Sequence, residues 1–298
     1  MTTSDAPVGA GILYIVATPI GNLEDISQRA LMVLRDVKLI VAEDTRHSQR
    51  LLQHYGIQAE LKSLHDHNER ERVPAVIERL LAGDTVAMIS DAGTPLLSDP
   101  GYLLVKAAAD RGIVVSPVPG PSAITAALSA AGLPVQRFVF AGFLPPKQGA
   151  RRAALENLRH EPGVAVLFES THRILELLED INEVLGGARQ LVLARELTKL
   201  HETFLRGSSG EILARLRSDA NQNRGEFVVL LAPAPQQMTS EEASAEKYLR
   251  ILLAELPLNQ AVRLAADITG IKRNRLYDLA LGITRGTGPA ETPPPDQA

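Results

Sequence analysis

The chain has 298 residues, 45% of them hydrophobic, which is enough for two domains with sizeable cores. Tryptophan is absent and aromatics make up 4%, so aliphatic side chains must fill those cores, and zero cysteines exclude disulfides, thiolate zinc sites and a cysteine nucleophile together. A net charge of −4 carries no global nucleic-acid signature, so any RNA or DNA contact must come from local patches.

The opening MTTSDAPVGAG has neither a basic n-region nor an apolar h-region, and no apolar run is long enough to cross a bilayer. A cytoplasmic setting is expected. From there short aliphatic, β-branched runs alternate with amphipathic ones. Strands are expected at 12–17, 39–42, 86–90 and 113–118. Helices are expected at 26–35, at 48–55 (closed by Gly56) and at 99–111 (closed by Gly112), the last with Asp99 as its cap and Pro100 in its first position. That alternation predicts an α/β domain with a largely parallel sheet, whose ligands sit at the carboxyl ends of the strands.

A helix over 123–131, capped by Ser122, leads into a second α/β unit. Its strands are expected at 138–141, 164–168, 190–194, 203–206 and 227–232, and its helices at 151–160, 174–185 and 211–216. The later strands follow closely on one another, which predicts a mixed sheet. PAPQQMTSEE reads as a linker. Three short helices follow, at 243–255, 259–269 and 273–281, with a turn at Thr269-Gly270-Ile271, and the Pro- and Gly-rich end is expected to be disordered. The domains are therefore expected at 12–120, 121–233 and 240–284, with a tail at 285–298.

Four loops follow strand ends in the first domain: Thr18-Pro19-Ile20-Gly21-Asn22, Glu43-Asp44-Thr45-Arg46-His47, Asp91-Ala92-Gly93-Thr94-Pro95 and Pro119-Gly120-Pro121-Ser122-Ala123. In a parallel sheet all four open on one edge. No GxxxxGK[ST] and no GxGxxG occurs, so a phosphate loop and a Rossmann dinucleotide site lose their warrant. Asp91 is one carboxylate on a glycine turn and does not specify a metal. The plainer alternatives are a tight βα connection at Asp91 to Pro95 and helix capping at Ser122. Glu43 ends a strand that reads as buried, where a carboxylate needs a partner. His65 and His67 share an HxH spacing that is weak as a metal signal and read as polar loop residues. Glu169 and His172 follow a strand of the second unit, where they can move a proton, touch a polar substrate or simply start a helix. Two places are locally basic. Lys147, Arg151, Arg152 and Arg159 surround a proline-rich loop, and Arg263, Lys272, Arg273, Arg275 and Arg285 outnumber Asp267 and Asp278 in a helix–Gly turn–helix stretch compatible with a helix-turn-helix.

TPIGNL, EDTRH, HNE at 67–69, SDAGTP followed by SDPG, PGPSA, GFLPPK, FESTHR, ARELTKLHE and GEFVVLL occur in this order over residues 12–233. Together they closely resemble the bacterial RsmI family of 16S ribosomal RNA cytidine 2′-O-methyltransferases, within the tetrapyrrole methylase superfamily. Leu96-Leu97 stands where that family more often has Gly-Ile, and Thr171 where Pro is commoner. The resemblance implies two α/β domains of the tetrapyrrole methylase type and a small C-terminal helix-turn-helix-like domain. It implies a homodimer with S-adenosylmethionine folded between the α/β domains. By position the cofactor contacts fall on Pro19, Ile20, Asp91, Ala92, Gly93, Thr94, Ser122 and Ala123, with Phe168, Glu226 and Phe227 on the second-domain side. The implied partner is 16S ribosomal RNA in the small ribosomal subunit.

Methyl transfer to a ribose 2′-hydroxyl needs alignment and benefits from removal of its proton. Glu43, Asp44, His65 and Glu169 are the base candidates. Arg46 and Arg173 suit phosphate clamping, and Lys147, Arg151, Arg152 and His172 are further substrate candidates. Two other classes compete. A small-molecule tetrapyrrole methylase shares the fold but typically carries a GxGxGD-like first loop, where this chain has TPIGN. A non-catalytic RNA-binding protein using the C-terminal helices is the third.

Overall fold

A computed structural model describes residues 9–234 and 240–286. The first α/β layer contains β1 (Ile12–Val16), α1 (Gln28–Asp36), β2 (Leu39–Ala42), α2 (Thr45–His54), β3 (Glu60–Ser63), α3 (Glu69–Leu81), β4 (Val86–Ile89), α4 (Tyr102–Ala109) and β5 (Val114–Val118). Its five strands are ordered β3-β2-β4-β1-β5, and every pairing is parallel. β2 (LIVA) and β4 (VAMI) are buried at every residue, the pattern of central strands covered on both faces. Two apolar clusters lie on either side of the sheet, one built on Leu13, Val41, Met88 and Leu104, the other on Val16, Ile40, Ala87 and Leu34.

Neither β3 nor α3 was among the sequence expectations. β3 reads ELKS, an edge strand of alternating exposure with a single apolar residue, and α3 carries Pro74 in its second turn. Edge strands need little burial, and an interior proline removes one helical hydrogen bond, so both escape a pattern search.

A second correction concerns α4. Its N-cap is Gly101, at φ 122°, so the helix begins at Tyr102, two residues beyond Pro100. Asp99 is therefore not its cap. The free amides are met instead from α3, where the buried Glu69 accepts from the N–H groups of Leu103 (2.8 Å) and Leu104 (3.2 Å) with one carboxylate oxygen.

The second layer contains α5 (Ala123–Ala131), β6 (Phe138–Phe143), α6 (Gln148–Asn157), β7 (Val164–Ser170), α7 (Ile174–Leu185), β8 (Gln190–Arg195), β9 (Thr203–Ser208), α8 (Ser209–Ser218) and β10 (Glu226–Leu231). The strand order is β6-β7-β10-β8-β9, with β6 parallel to β7 and the other pairs antiparallel, so this sheet is mixed as expected. α5 packs on one face through Ile124, Ala127 and Leu128 against Val166, Val192 and Leu230, while α6, α7 and α8 cover the other. Ser122 precedes α5 but makes no side-chain capping bond.

A separate unit from residue 235 onward contains α9 (Ser240–Glu255), α10 (Leu258–Thr269) and α11 (Arg273–Gly286) around a core of Ala245, Leu249, Val262, Ala265, Leu276 and Ala280. Gly270, at φ 72°, closes α10 in the left-handed conformation where the turn was expected. Residues 235–239 of the linker reading and 287–298 of the tail reading lie outside the described residues. Among those described, no helix is long and apolar enough to cross a membrane.

Candidate active site

The four strand-end loops of the first layer are tied into one surface by hydrogen bonds. Thr18 and Gly93 exchange both backbone bonds (2.9 and 3.0 Å), and the Thr18 hydroxyl donates to the Ser90 carbonyl at 3.2 Å. The Thr94 hydroxyl donates to the Pro121 carbonyl at 3.2 Å, and the Asp44 N–H donates to Asp91 Oδ1 at 3.0 Å. Gly93 sits at φ 79°, and a Cβ there would stand 3.3 Å from Ile20 Cγ2. Both the backbone conformation and the close approach therefore call for glycine.

These loops face β6, β7 and β10 across a cleft of about 420 Å³. Ile20, Asp91, Ala92, Gly93, Thr94, Ser122 and Ala123 line one wall, and Phe168, Glu226 and Phe227 line the other, so of the expected cofactor positions all but Pro19 meet here. Pro19 faces a smaller hollow, about 250 Å³, formed with His47, Ser48, Arg50 and Asp91. The antiparallel insertion of β10 beside β7 pairs Phe227 with Glu169, which brings sequence-distant segments to one rim. Phe168 is held edge-on between Phe140 and Phe143, with ring centroids 4.9 and 5.7 Å away.

The cleft also contains residues the sequence reading missed: Leu97, Ser98, Asp99, Ile124, Phe143, Ser170, Leu197 and Val228. Asp99 is the most consequential. Read as a helix cap, it instead lines the cleft, close enough to Asp91 and Glu43 for their charges to interact. The chain reaches this position through Leu96 and Ser98, both at φ 73°. That conformation costs a non-glycine residue roughly 1–2 kcal/mol, and Leu96 occupies a position where the resembled family more often has glycine. The signal available in the sequence was the second carboxylate of SDAGTPLLSDPG, eight residues after the first.

Among the described residues five carboxylates line this cleft (Glu43, Asp91, Asp99, Glu169, Glu226) and no cationic side chain does. Burial, then repulsion from Asp91 and Asp99, pushes the Glu43 carboxyl up to about 7, although the Asp91 backbone N–H opposes the shift. Asp99 is also raised, first by burial and then by Asp91 and Asp66, with Ser90 hydrogen bonding offsetting part of it. Glu169 is engaged differently. It is buried, one oxygen accepts from the Ser170 N–H at 2.8 Å, and the other lies 3.2 Å from Arg173 Nη2.

The remaining expected site residues lie outside the cleft lining. Asp44 caps α2 and pairs with the exposed Arg46 (2.8 Å), whose hydrogen bonds hold its carboxyl well below the usual carboxylate range. His65 is tied to Asn68, which accepts from the His65 N–H at 2.9 Å and has its amide nitrogen 3.0 Å from Nε2. Arg173 donates to the Leu144 carbonyl at 2.6 Å. Lys147 and His172 are exposed on neighbouring loops. Arg151 was expected at an RNA-facing basic patch, but it is 2% exposed and its Nε lies 2.6 Å from Oδ2 of the buried Asp180. Arg152 binds the other oxygen of Asp180 at 2.6 Å and also pairs with Glu183. Burial pushes the Asp180 carboxyl up, but Arg152 and Arg151 outweigh it and hold the group below its ordinary value. These two arginines join α6 to α7. Pairing with a buried acid, rather than display to solvent, explains their position.

Two α/β layers closing on a strand-end cleft define a two-domain methylase fold. Residues 12–213 match the family model for Tetrapyrrole (Corrin/Porphyrin) Methylases, and residues 239–284 match the RsmI C-terminal HTH domain. The chain is 54% identical over 276 residues to the ribosomal RNA small subunit methyltransferase I of Pseudomonas aeruginosa, covering 92% of this chain and 98% of that one. Its identity to the protein of the same name from Escherichia coli O157:H7 is 52% over 271 residues, covering 91% and 95%. Among solved structures, the methyltransferase CobJ superposes with a TM-score of 0.56 at 18% identity over 78% of this chain and 98% of that one, a likeness of fold. Diphthine synthase does so with 0.56 at 17% identity, over 74% and 90%. The chain belongs to the tetrapyrrole methylase superfamily and, within it, to the RsmI family of ribosomal RNA small subunit methyltransferases.

Proposed function

We propose that this protein transfers a methyl group from S-adenosylmethionine to the 2′-hydroxyl of a cytidine in the decoding region of 16S ribosomal RNA. The observation that carries the cofactor assignment is the acid-lined cleft. Its volume suits a ligand of this size. Ile20, Ile124, Phe168 and Val228 offer apolar surface, and the backbone of Ala92, Thr94 and Ser122-Ala123 offers hydrogen bonds, while Gly93, bonded on both sides to Thr18, allows close approach. Arg173 answers Glu169 and Lys199 answers Glu226, but among the described residues Glu43, Asp91 and Asp99 form no ion pair, and such carboxylates suit a sulfonium centre and disfavour a phosphate. Residues of this chain that would hold the cofactor are Ile20, Asp91 to Thr94, Ser122, Ala123, Phe168, Glu226 and Phe227. Bound there, S-adenosylmethionine supplies a methyl group already activated by its positive sulfur.

The chain's own part is to align the acceptor oxygen and receive its proton. Of the four base candidates, Glu43 and Glu169 line the cleft, and Glu169 is engaged by Arg173. Glu43 is the base in this reading, since a carboxyl pushed up to about 7 is poised to accept a proton near neutral pH. Arg46, 89% exposed at the start of α2, is placed to meet a phosphate of the RNA. The domain assignment that goes with this reading is 12–120, 121–233 and 240–284, in a cytoplasmic homodimer acting on the small ribosomal subunit.

The test uses labelled S-adenosylmethionine and small ribosomal subunits from a strain lacking this activity. Label should appear on a cytidine ribose of the decoding region. Label on a tetrapyrrole instead, with none on the subunit, would overturn the assignment in favour of the small-molecule alternative.

A further inference from the structure

The segments ARELTKLHE and RGEFVVLL contribute only Leu197, Glu226, Phe227 and Val228 to the cleft. Others of their residues, with Gln222 from the turn just before the second segment, build a second cavity of about 490 Å³, lined by Arg195, Glu196, His201, Gln222, Arg224 and Gly225. The two cavities share a thin wall. Leu197 and Glu226 face the cleft, while Glu196 and Gly225, their neighbours along the chain, line the second cavity.

That wall is held rigidly. Glu196 and Glu226 exchange bonds, N–H of each to an oxygen of the other, at 2.9 Å. Gly225 is at φ 108°, and a Cβ there would come within 2.5 Å of Glu196 Cγ. Glu196 and Thr198 hold left-handed backbone, φ 50° and 63°, a strain that persists only where surrounding structure enforces it.

Charge distinguishes the second cavity. Its one acid, Glu196, is answered by Lys199 at 3.0 Å, and Lys199 also reaches Glu226 at 3.0 Å. Among the described residues neither Arg195 nor Arg224 forms an ion pair. Arg195 Nε donates to the Arg224 carbonyl at 2.5 Å, which fixes one guanidinium beside the other residue's backbone. The Arg224 side chain and His201 are exposed at the mouth. Arg195 also bears electrostatically on Glu196, but that acid is already paired with Lys199, so two guanidinium groups free of ion pairs, next to a cleft lined by carboxylates, make a site for an anion presented alongside the cleft.

We propose that Arg195 and Arg224, with His201 at the rim, bind a backbone phosphate of the RNA strand flanking the nucleotide whose ribose enters the acid-lined cleft. This rests on the RNA methyltransferase reading and adds to it the surface that recognises the strand. The sugar-phosphate chain is thereby divided between two cavities of opposite sign, so that the acceptor ribose enters the cleft while its neighbour's charge stays outside.

The experiment compares wild type with Arg195→Gln, Arg224→Gln, the exposed-side-chain variant Arg224→Glu, and Arg217→Gln as a control on a paired surface arginine. The probe is the unmethylated small ribosomal subunit. Filter binding across a salt series, methyl transfer, calorimetry with S-adenosylmethionine and sedimentation are measured on each. The Gln variants should weaken subunit binding by about ten-fold and lower the slope of log K against log salt by about 0.7 per lost phosphate contact. Arg224→Glu should be weaker still, with cofactor affinity unchanged in all. Unchanged binding and slope in Arg224→Glu would overturn the proposal. So would a shift in oligomeric state without a change in subunit affinity, which would make this face a contact between copies of the chain. Arginine-dependent subunit binding without any methyl transfer in wild type would leave the phosphate site standing and sink the catalytic reading.

Discussion

The molecule's two neighbouring cavities, divided by the ends of β8 and β10, have opposite chemistry. Among the described residues, the cleft toward the first layer is lined by five carboxylates and by no cationic side chain. The cavity on the far side of the same strand ends carries two arginines and a histidine around one neutralised acid. Both are made from the same stretches: Arg195-Glu196 and Arg224-Gly225 line the basic cavity, while Leu197 and Glu226 to Val228 line the cleft, with left-handed backbone at Glu196 where the first stretch passes from one to the other. One pair of segments can therefore serve a cationic cofactor on one side and an anionic strand on the other. Net charge, at −4, averages the two away.

The largest expected effect lies in the acid cleft. Glu43→Gln keeps the shape but removes the base, so kcat for methyl transfer should fall by roughly 10²–10⁴-fold. A fall of less than a few-fold in single-turnover rates would show that proton removal is left to solvent. Next in size is a charge cluster belonging to neither cavity. Asp180→Ala leaves Arg151 buried without its partner and should destabilise the fold by about 3–5 kcal/mol, read as a lower denaturant midpoint. Cofactor affinity in the folded fraction should not change. Stability within about 1 kcal/mol of wild type would reopen Arg151 and Arg152 as RNA contacts.

A smaller effect concerns pH. Glu43 must be ionised to act as a base, so activity should be full above its raised value near 7 and fall as pH drops through it. The stability contribution has the opposite sign. The unfolded carboxyl ionises near 4.5 and the folded one near 7, so ionisation disfavours the fold progressively as pH rises between these values. Glu43→Gln should flatten both dependences, and an activity profile whose inflection stays in that variant would assign it to another group. The smallest effect is expected from Arg46→Ala. Breaking an exposed pair with Asp44 should change stability by less than about 1 kcal/mol, while subunit binding becomes modestly weaker and less salt-sensitive.

How legible the site was in the sequence follows from the same contrast. The acid cleft's first-layer wall was readable because four short loops follow four aliphatic strands, and a parallel sheet puts such loops on one edge. The second-layer wall was reached through motif resemblance, since the antiparallel pairing that sets Phe227 opposite Glu169 leaves no local sequence mark. Asp99 was misread because Asp-Pro is a common helix opening, whereas here Glu69, thirty residues upstream, supplies the capping oxygen. The basic residues were misjudged for a related reason. Arg151 and Arg152 look like a patch in sequence but meet Asp180 in space, and Arg195 and Arg224 are far apart in sequence yet share a cavity.

The measurement that bears most directly on the acid cleft is a calorimetric titration of S-adenosylmethionine into the wild-type protein and into Asp91→Ala. One saturating site per chain is expected in wild type, with affinity about 10–100-fold weaker once this cleft-lining carboxylate is gone. No binding by wild type, or equal affinity in the two proteins, would contradict the assignment of this cleft to the cofactor.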